Sequence, residues 1–212
     1  MALRIETLGD VEAGCRWLAD RDPRLGEVYA LTGVPPLRRR SGGFPALLQI
    51  ICGQQLSVAS AASVWRKLCA AGVDDPVTAK ALGAEGLHAL GLTRQKAGYA
   101  AALAAAEIDY DALADLPPEE ARATLTAQKG IGPWSAEIYL ITAVGHPDIF
   151  APGDLALQEA VRELYGLPAR PTQAELAIFA ERWSPWRAVA MRLLWAYYQR
   201  EKGREGLMQG DR

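Results

Sequence analysis

Residues 125–141 read Leu-Thr-Ala-Gln-Lys-Gly-Ile-Gly-Pro-Trp-Ser-Ala-Glu-Ile-Tyr-Leu-Ile, and the spacing within them decides the fold class. Apolar residues recur at helical intervals on both sides of Gly130-Ile131-Gly132, so the stretch predicts two helices joined by a tight hairpin. Pro133 falls where a first-turn proline is favoured, because the N–H it lacks would have no intrahelical partner. The two glycines admit backbone conformations closed to other residues, and the N–H groups opening the second helix can then lie against an anion. Such a corner is a phosphate clamp without a charged side chain, or a plain bend whose glycines only turn the chain.

Outward from the hairpin, apolar positions keep the helical period and strictly alternating β-branched runs are missing, so an all-α fold is expected. Helices are predicted over about 9–20, 24–32, 44–56, 57–71, 76–82, 84–90, 93–106, 117–128, 133–144, 154–165, 172–183 and 185–200. Pro and Gly punctuate them, among others at Pro23, Pro35-Pro36, Gly42-Gly43, Gly91, Pro117-Pro118, Pro152-Gly153 and Pro185. No repeat of fixed period is present, and a frayed polar tail is expected from about Gly203.

A chain of 212 residues, half of them hydrophobic and 23% charged, can bury a sizeable core as one fold or two small lobes. Apolar runs such as Ala100 to Ala106 are too short to cross a bilayer, and Arg4, Glu6, Asp10 and Glu12 interrupt any secretion signal, so a cytoplasmic protein with no membrane partner is expected. Cys15, Cys52 and Cys69 suit neither a disulfide framework nor an iron–sulfur ligand set, and His88 and His146 are too few for a His-based metal site. The net charge of −2 is unevenly spread: residues 38–106 hold eight Lys/Arg against three Asp/Glu, a local balance of +5. That excess is suited to phosphates while the rest of the surface stays acidic.

The hairpin, through Leu125, Gly130, Ile131, Gly132 and Ala136, resembles the helix-hairpin-helix of the base-excision DNA glycosylases, the HhH-GPD superfamily; Gln128 departs from a usually apolar position. The family's second mark is an aspartate opening the next helix, and Asp154, after Pro152-Gly153, matches it. From its position alone Asp154 is a helix N-cap; the resemblance makes it also the essential carboxylate, and a rigid cap suits an electrostatic catalyst. Bifunctional members carry a Schiff-base lysine two residues after the second glycine, where this chain has Trp134. An indole there is suited to stacking on a cationic base.

The string Ile50-Ile51-Cys52-Gly53-Gln54-Gln55-Leu56-Ser57 is similar to the wedge segment of the 3-methyladenine DNA glycosylase II branch, which implies Gln55 or Leu56 as the wedge that fills the space left by a flipped nucleotide. Trp183-Ser184-Pro185-Trp186-Arg187 resembles that branch's closing helix, with Trp195 matching a pocket wall and Trp183 and Trp186 open between core and pocket. Gly91 to Ala97 recurs there as a loop into a helix. The resemblance spans about residues 40–200 and implies a compact member without the branch's N-terminal β-domain.

What the resemblance implies is a two-lobed helical fold, residues 1–40 with 145–212 against 41–144, and an active-site cleft between the lobes. It implies a monofunctional glycosylase, acting as a monomer on damaged double-stranded DNA and flipping out and hydrolysing alkylated purines of the 3-methyladenine and 7-methylguanine type. Asp154 would be catalytic, Trp134 and Trp195 would hold the base, Gly130 and Gly132 the phosphate, with further DNA contacts at Gln54, Arg94 and Lys96. No cofactor, iron–sulfur cluster or catalytic metal is expected, although a monovalent cation at the backbone carbonyls of Thr126, Gln128 and Ile131 is. The alternatives are a glycosylase for oxidised or deaminated bases and a non-catalytic helix-hairpin-helix DNA-binding protein.

Overall fold

Helices begin where the sequence supplies a side-chain acceptor or a proline. Thr7 and Asp10 form a reciprocal capping box at the start of α1 (Leu8–Ala19), and Asp22 ahead of Pro23 caps α2 (Pro23–Thr32). The computed structural model describes residues 4–203, which fall into two compact units, 4–39 with 144–203 and 40–143. The tail expected from Gly203 lies, beyond Gly203 itself, outside the described residues. Among the described residues all regular structure is helical, and no helix is long and apolar enough to cross a membrane.

The second unit is built around α3 (Phe44–Gly53), which is apolar apart from Gln49 and buries Phe44, Ala46, Leu47, Leu48, Ile50, Ile51 and Cys52. Around it run α4 (Val58–Ala70), α5 (Pro76–Ala89), α6 (Arg94–Ala105), α7 (Tyr110–Asp115), α8 (Pro118–Thr126) and α9 (Pro133–Tyr139), with α4, α6 and α9 packed directly on α3. Ala97, Ala100 and Ala104 give α6 a smooth buried face. Gly83, at φ 60°, breaks α5 at the position where the sequence separates two helices.

In the first unit, α10 (Leu155–Leu164), α11 (Gln173–Ala180) and α12 (Arg187–Lys202) complete the core, with α12 packed on α1, α2 and α10. Its polar centre is Asp22, whose carboxylate accepts from the Trp183 indole (2.9 Å), the Tyr165 hydroxyl (2.6 Å) and the backbone N–H groups of Arg24 and Leu25. A buried carboxylate met by four donors is well compensated. Trp183, fully buried against Phe150 and Phe179, is therefore a core residue, and Trp186 packs where a Cβ on Gly14 would come within 2.7 Å of its ring.

Four elements differ from expectation, among them the helix predicted over 172–183, which ends at Ala180 and continues as a 3-10 turn over Glu181–Trp183. Helix α7 is absent from the predicted set because its six residues bury only Leu113, too little for a periodic signal, although Asp109 caps it. The helix predicted to residue 144 passes into a π-helical turn over Leu140–Val144, and the one predicted to 56 stops at Gly53, where the chain turns.

Candidate active site

The loop before α10 is stapled to α12. The Arg187 guanidinium grips Asp148 through two bonds of 2.8 and 3.0 Å, the Ala188 N–H reaches the Pro147 carbonyl at 2.9 Å, and the Ala151 N–H lies 3.3 Å from the Met191 sulfur. Gln158 reaches back to the Pro152 carbonyl at 2.8 Å. At the end of this loop Asp154 is 7% exposed and caps α10, its Oδ1 accepting from the N–H groups of Ala156 (2.9 Å) and Leu157 (3.1 Å). The carboxylate is thus held on a rigid element at the positive end of a helix, which is where a fixed negative charge is best supported.

Trp195, two turns along α12 from Ala188, is only 5% exposed, and the Arg38 guanidinium lies 5.3 Å from its ring centroid. Arg192, on the same helix, donates to the carbonyls of Leu37 (3.1 Å) and Ala188 (2.7 Å). Burial pushes its guanidinium down to about 9, and the neighbouring cations Arg38 and Arg39 act in the same direction. The arginine run at 38–40 thus folds inward in part: Arg38 is 8% exposed and Arg40 donates to Gln49 at 2.6 Å.

In the second unit the two hairpin glycines differ in kind. Gly130 has φ 87°, and a Cβ there would stand 2.3 Å from Cγ of Tyr99, so no other residue fits. Gly132 caps α9 with φ −87° and ψ 175°, a conformation open to any residue, and a Cβ on it meets nothing within 4 Å. The backbone freedom expected of both glycines is needed only at Gly130. Trp134 is half-exposed in the first turn of α9. Of the carbonyls considered for a cation, that of Gln128 accepts the Ile131 N–H at 3.1 Å, leaving one lone pair for an ion.

Glu137, on α9, is 5% exposed, and its nearest cation is Arg122, whose Nε lies 3.7 Å away, too far for a hydrogen bond. Burial raises its carboxyl to about 7 against the opposing pull of Arg122. This group lacks a signal in the sequence, since a glutamate one face off the helix stripe looks like any solvated one.

Gln54, Gln55 and Leu56 form the turn after α3. The Leu56 N–H bonds the Gly53 carbonyl at 3.2 Å, Gln54 has φ −54° and ψ 128°, and Gln55 has φ 57°. These are the angles of a type II turn, whose third position favours Gly or Asn. Gln55 is exposed and Leu56 half-buried. Gln54 faces inward, its Nε2 donating to the Gly130 carbonyl (3.0 Å) and to Ser135 Oγ (3.1 Å). Lys96 donates to the carbonyls of Cys52 (2.9 Å) and Gln54 (2.5 Å), whereas Arg94 is exposed with Glu85 3.7 Å away.

The family model of the HhH-GPD superfamily base excision DNA repair protein matches residues 48–186. The probable bifunctional transcriptional activator/DNA repair enzyme AlkA of Mycobacterium tuberculosis is 42% identical over 77 residues, 36% of this chain and 15% of that protein's length. The alkylbase DNA glycosidase-like protein mag2 of Schizosaccharomyces pombe is 25% identical over 162 residues, covering 72% of this chain and 76% of the relative. Among solved structures, the 3-methyladenine DNA glycosylase Mag1 of the same yeast, in complex with abasic DNA, superposes with a TM-score of 0.78 at 23% identity, over 90% of this chain and 97% of its own; the two share a fold.

Proposed function

The chain belongs to the HhH-GPD superfamily of base excision DNA repair proteins, and from that premise we propose that it is a monofunctional DNA glycosylase removing alkylated purines from damaged duplex DNA. The observation that carries the proposal is Asp154, a carboxylate locked at the head of α10 by a loop stapled to α12. A purine alkylated at N3 or N7 is already cationic. When its N-glycosidic bond breaks, the bonding electrons return to the base, which leaves neutral without needing an acid. Positive charge then develops on the deoxyribose, and Asp154 stabilises it while water attacks C1′ and gives up a proton, leaving an abasic site. One carboxylate suffices where ordinary glycosidases need two. The reaction calls for no cofactor and no metal, and we propose that the protein works as a monomer in the cytoplasm.

Trp134 and Trp195 are the side chains we assign to the flipped base, Trp134 by stacking and Trp195 as a wall. The hairpin around Gly130 and Gly132 would take the phosphate, Arg94 would make a further contact to DNA, and a monovalent cation at the carbonyls of Thr126, Gln128 and Ile131 would steady the hairpin. Gln55 is the wedge we favour over Leu56, because an exposed non-glycine residue at a left-handed position bears a strain that a plain turn has no reason to keep.

With Trp134 where bifunctional relatives carry lysine, an imine with C1′ has no matched amine. Methylated duplex incubated with the chain is expected to yield free base and an intact strand that breaks only on later alkali, and borohydride is expected to trap nothing. Covalent trapping, or strand cleavage without alkali, would contradict the monofunctional assignment and direct attention to Lys129.

A further inference from the structure

The turn that carries Gln55 is clamped from two sides, and neither clamp touches Gln55 itself. Helix α3 ends with carbonyls that need donors. Those of Ile51 and Gly53 are met locally, by the N–H groups of Gln54 (3.3 Å) and Leu56 (3.2 Å). The Cys52 carbonyl, and that of Gln54 one residue beyond the helix, are met by one ammonium: Lys96 reaches across from the first turn of α6, at 2.9 and 2.5 Å. A cation on the last carbonyls of a helix also opposes the negative end of its dipole. On the other side, the Gln54 amide spans the Gly130 carbonyl and Ser135 Oγ, tying the turn to the hairpin and to α9. Between the two clamps Gln55 holds φ 57°, a conformation that a residue with a side chain keeps only when its surroundings impose it.

We infer that Lys96 and Gln54 are positioning residues of the wedge turn, holding Gln55 ready to enter the duplex and fixing its place relative to the hairpin. This rests on the assignment of Gln55 as the wedge of a glycosylase. Neither side chain is then a DNA contact. Lys96 is half-buried, with its ammonium spent on two carbonyls, and its partial desolvation, which lowers its pKa, agrees with that placement. A preformed wedge lowers the cost of extrusion, since the turn need not be ordered while the base is leaving the stack.

The test uses the full chain and a duplex carrying one 7-methylguanine, placed opposite cytosine or opposite a tetrahydrofuran abasic analogue. Excision is followed under single-turnover conditions. Lys96→Met and Gln54→Ala are each expected to slow release opposite cytosine by about tenfold or more, as misplacement of a positioned group does. Opposite the abasic analogue, where little pairing remains to be broken, most of that deficit should disappear, and Lys96→Arg should recover part of it opposite cytosine. The salt dependence of binding should not change for Lys96→Met. A log–log salt slope smaller by about 0.9 would make Lys96 a phosphate contact and overturn the inference. Equal deficits on both duplexes, or none on either, would overturn it as well. Where Lys96→Met lowers the melting temperature too far for assay, Lys96→Arg and Gln54→Ala carry the same comparison. If the unaltered chain releases no base from either duplex, it is the glycosylase assignment that has failed, before any variant is compared.

Discussion

Asp154→Asn is expected to slow base release by at least ~10²–10³-fold while leaving the fold and the affinity for duplex DNA near those of the unaltered chain. The fold should survive because asparagine is as good an N-cap as aspartate, so the bonds from the Ala156 and Leu157 N–H groups persist. Side-chain volume is unchanged, and the staples from Arg187, Ala188 and Ala151 do not involve the carboxylate. What would be lost, on the proposed mechanism, is the negative charge that stabilises a developing oxocarbenium ion. Single-turnover kinetics together with a thermal melt check both halves; turnover within a few-fold of the unaltered chain would reduce Asp154 to a structural cap.

Gly130→Val carries the largest expected effect on stability. Gly130 combines φ 87° with a Cβ position 2.3 Å from Cγ and 2.8 Å from Cβ of Tyr99. Those atoms lie at the root of the tyrosine, whose Cβ cannot move without its backbone, so rotating the ring does not relieve the whole clash. A left-handed β-branched residue costs roughly 1–2 kcal/mol, and overpacking adds about 1–3 kcal/mol. The sum, on the order of 3 kcal/mol, corresponds to a melting temperature lower by about 6–12 °C for a chain of this size. Gly132→Ala is the control, expected to change stability by no more than ~0.5 kcal/mol, because φ is −87° and the space is open. Equal losses at the two positions would mean that the hairpin is not shaped as described.

The contrast between these glycines shows where the sequence stops being informative. A Gly-x-Gly corner with Pro behind it announces a hairpin through local chemistry, and Asp154 after Pro152-Gly153 announces a helix start the same way, because donor and acceptor lie within a few residues of one another. Which glycine is indispensable depends on Tyr99, a residue of another helix, and nothing near Gly130 in the chain points to it. Gln54 is legible as a polar residue within the wedge motif and Lys96 as a basic residue in the separate Gly91 to Ala97 segment, and a DNA contact is the natural assignment for both. Their partners lie 76 and 81 residues away for Gln54 and 44 and 42 for Lys96, beyond the reach of any local pattern. Arg38 belongs to a basic run suited to phosphate, yet it is buried and faces Trp195, a pairing that only the fold of the first unit creates.

The most direct test of the central claim is the identity of the base released. Duplex DNA carrying 3-methyladenine and 7-methylguanine, and matched duplexes carrying 8-oxoguanine, hypoxanthine or uracil, are incubated with the chain and the free bases are measured by mass spectrometry. Alkylated purines are expected to appear at rates far above those of the neutral lesions, because only the cationic bases leave without an acid and a single carboxylate then suffices. Release of 8-oxoguanine or uracil in preference to the methylated purines, or release of no base from any duplex that the protein binds, would contradict it.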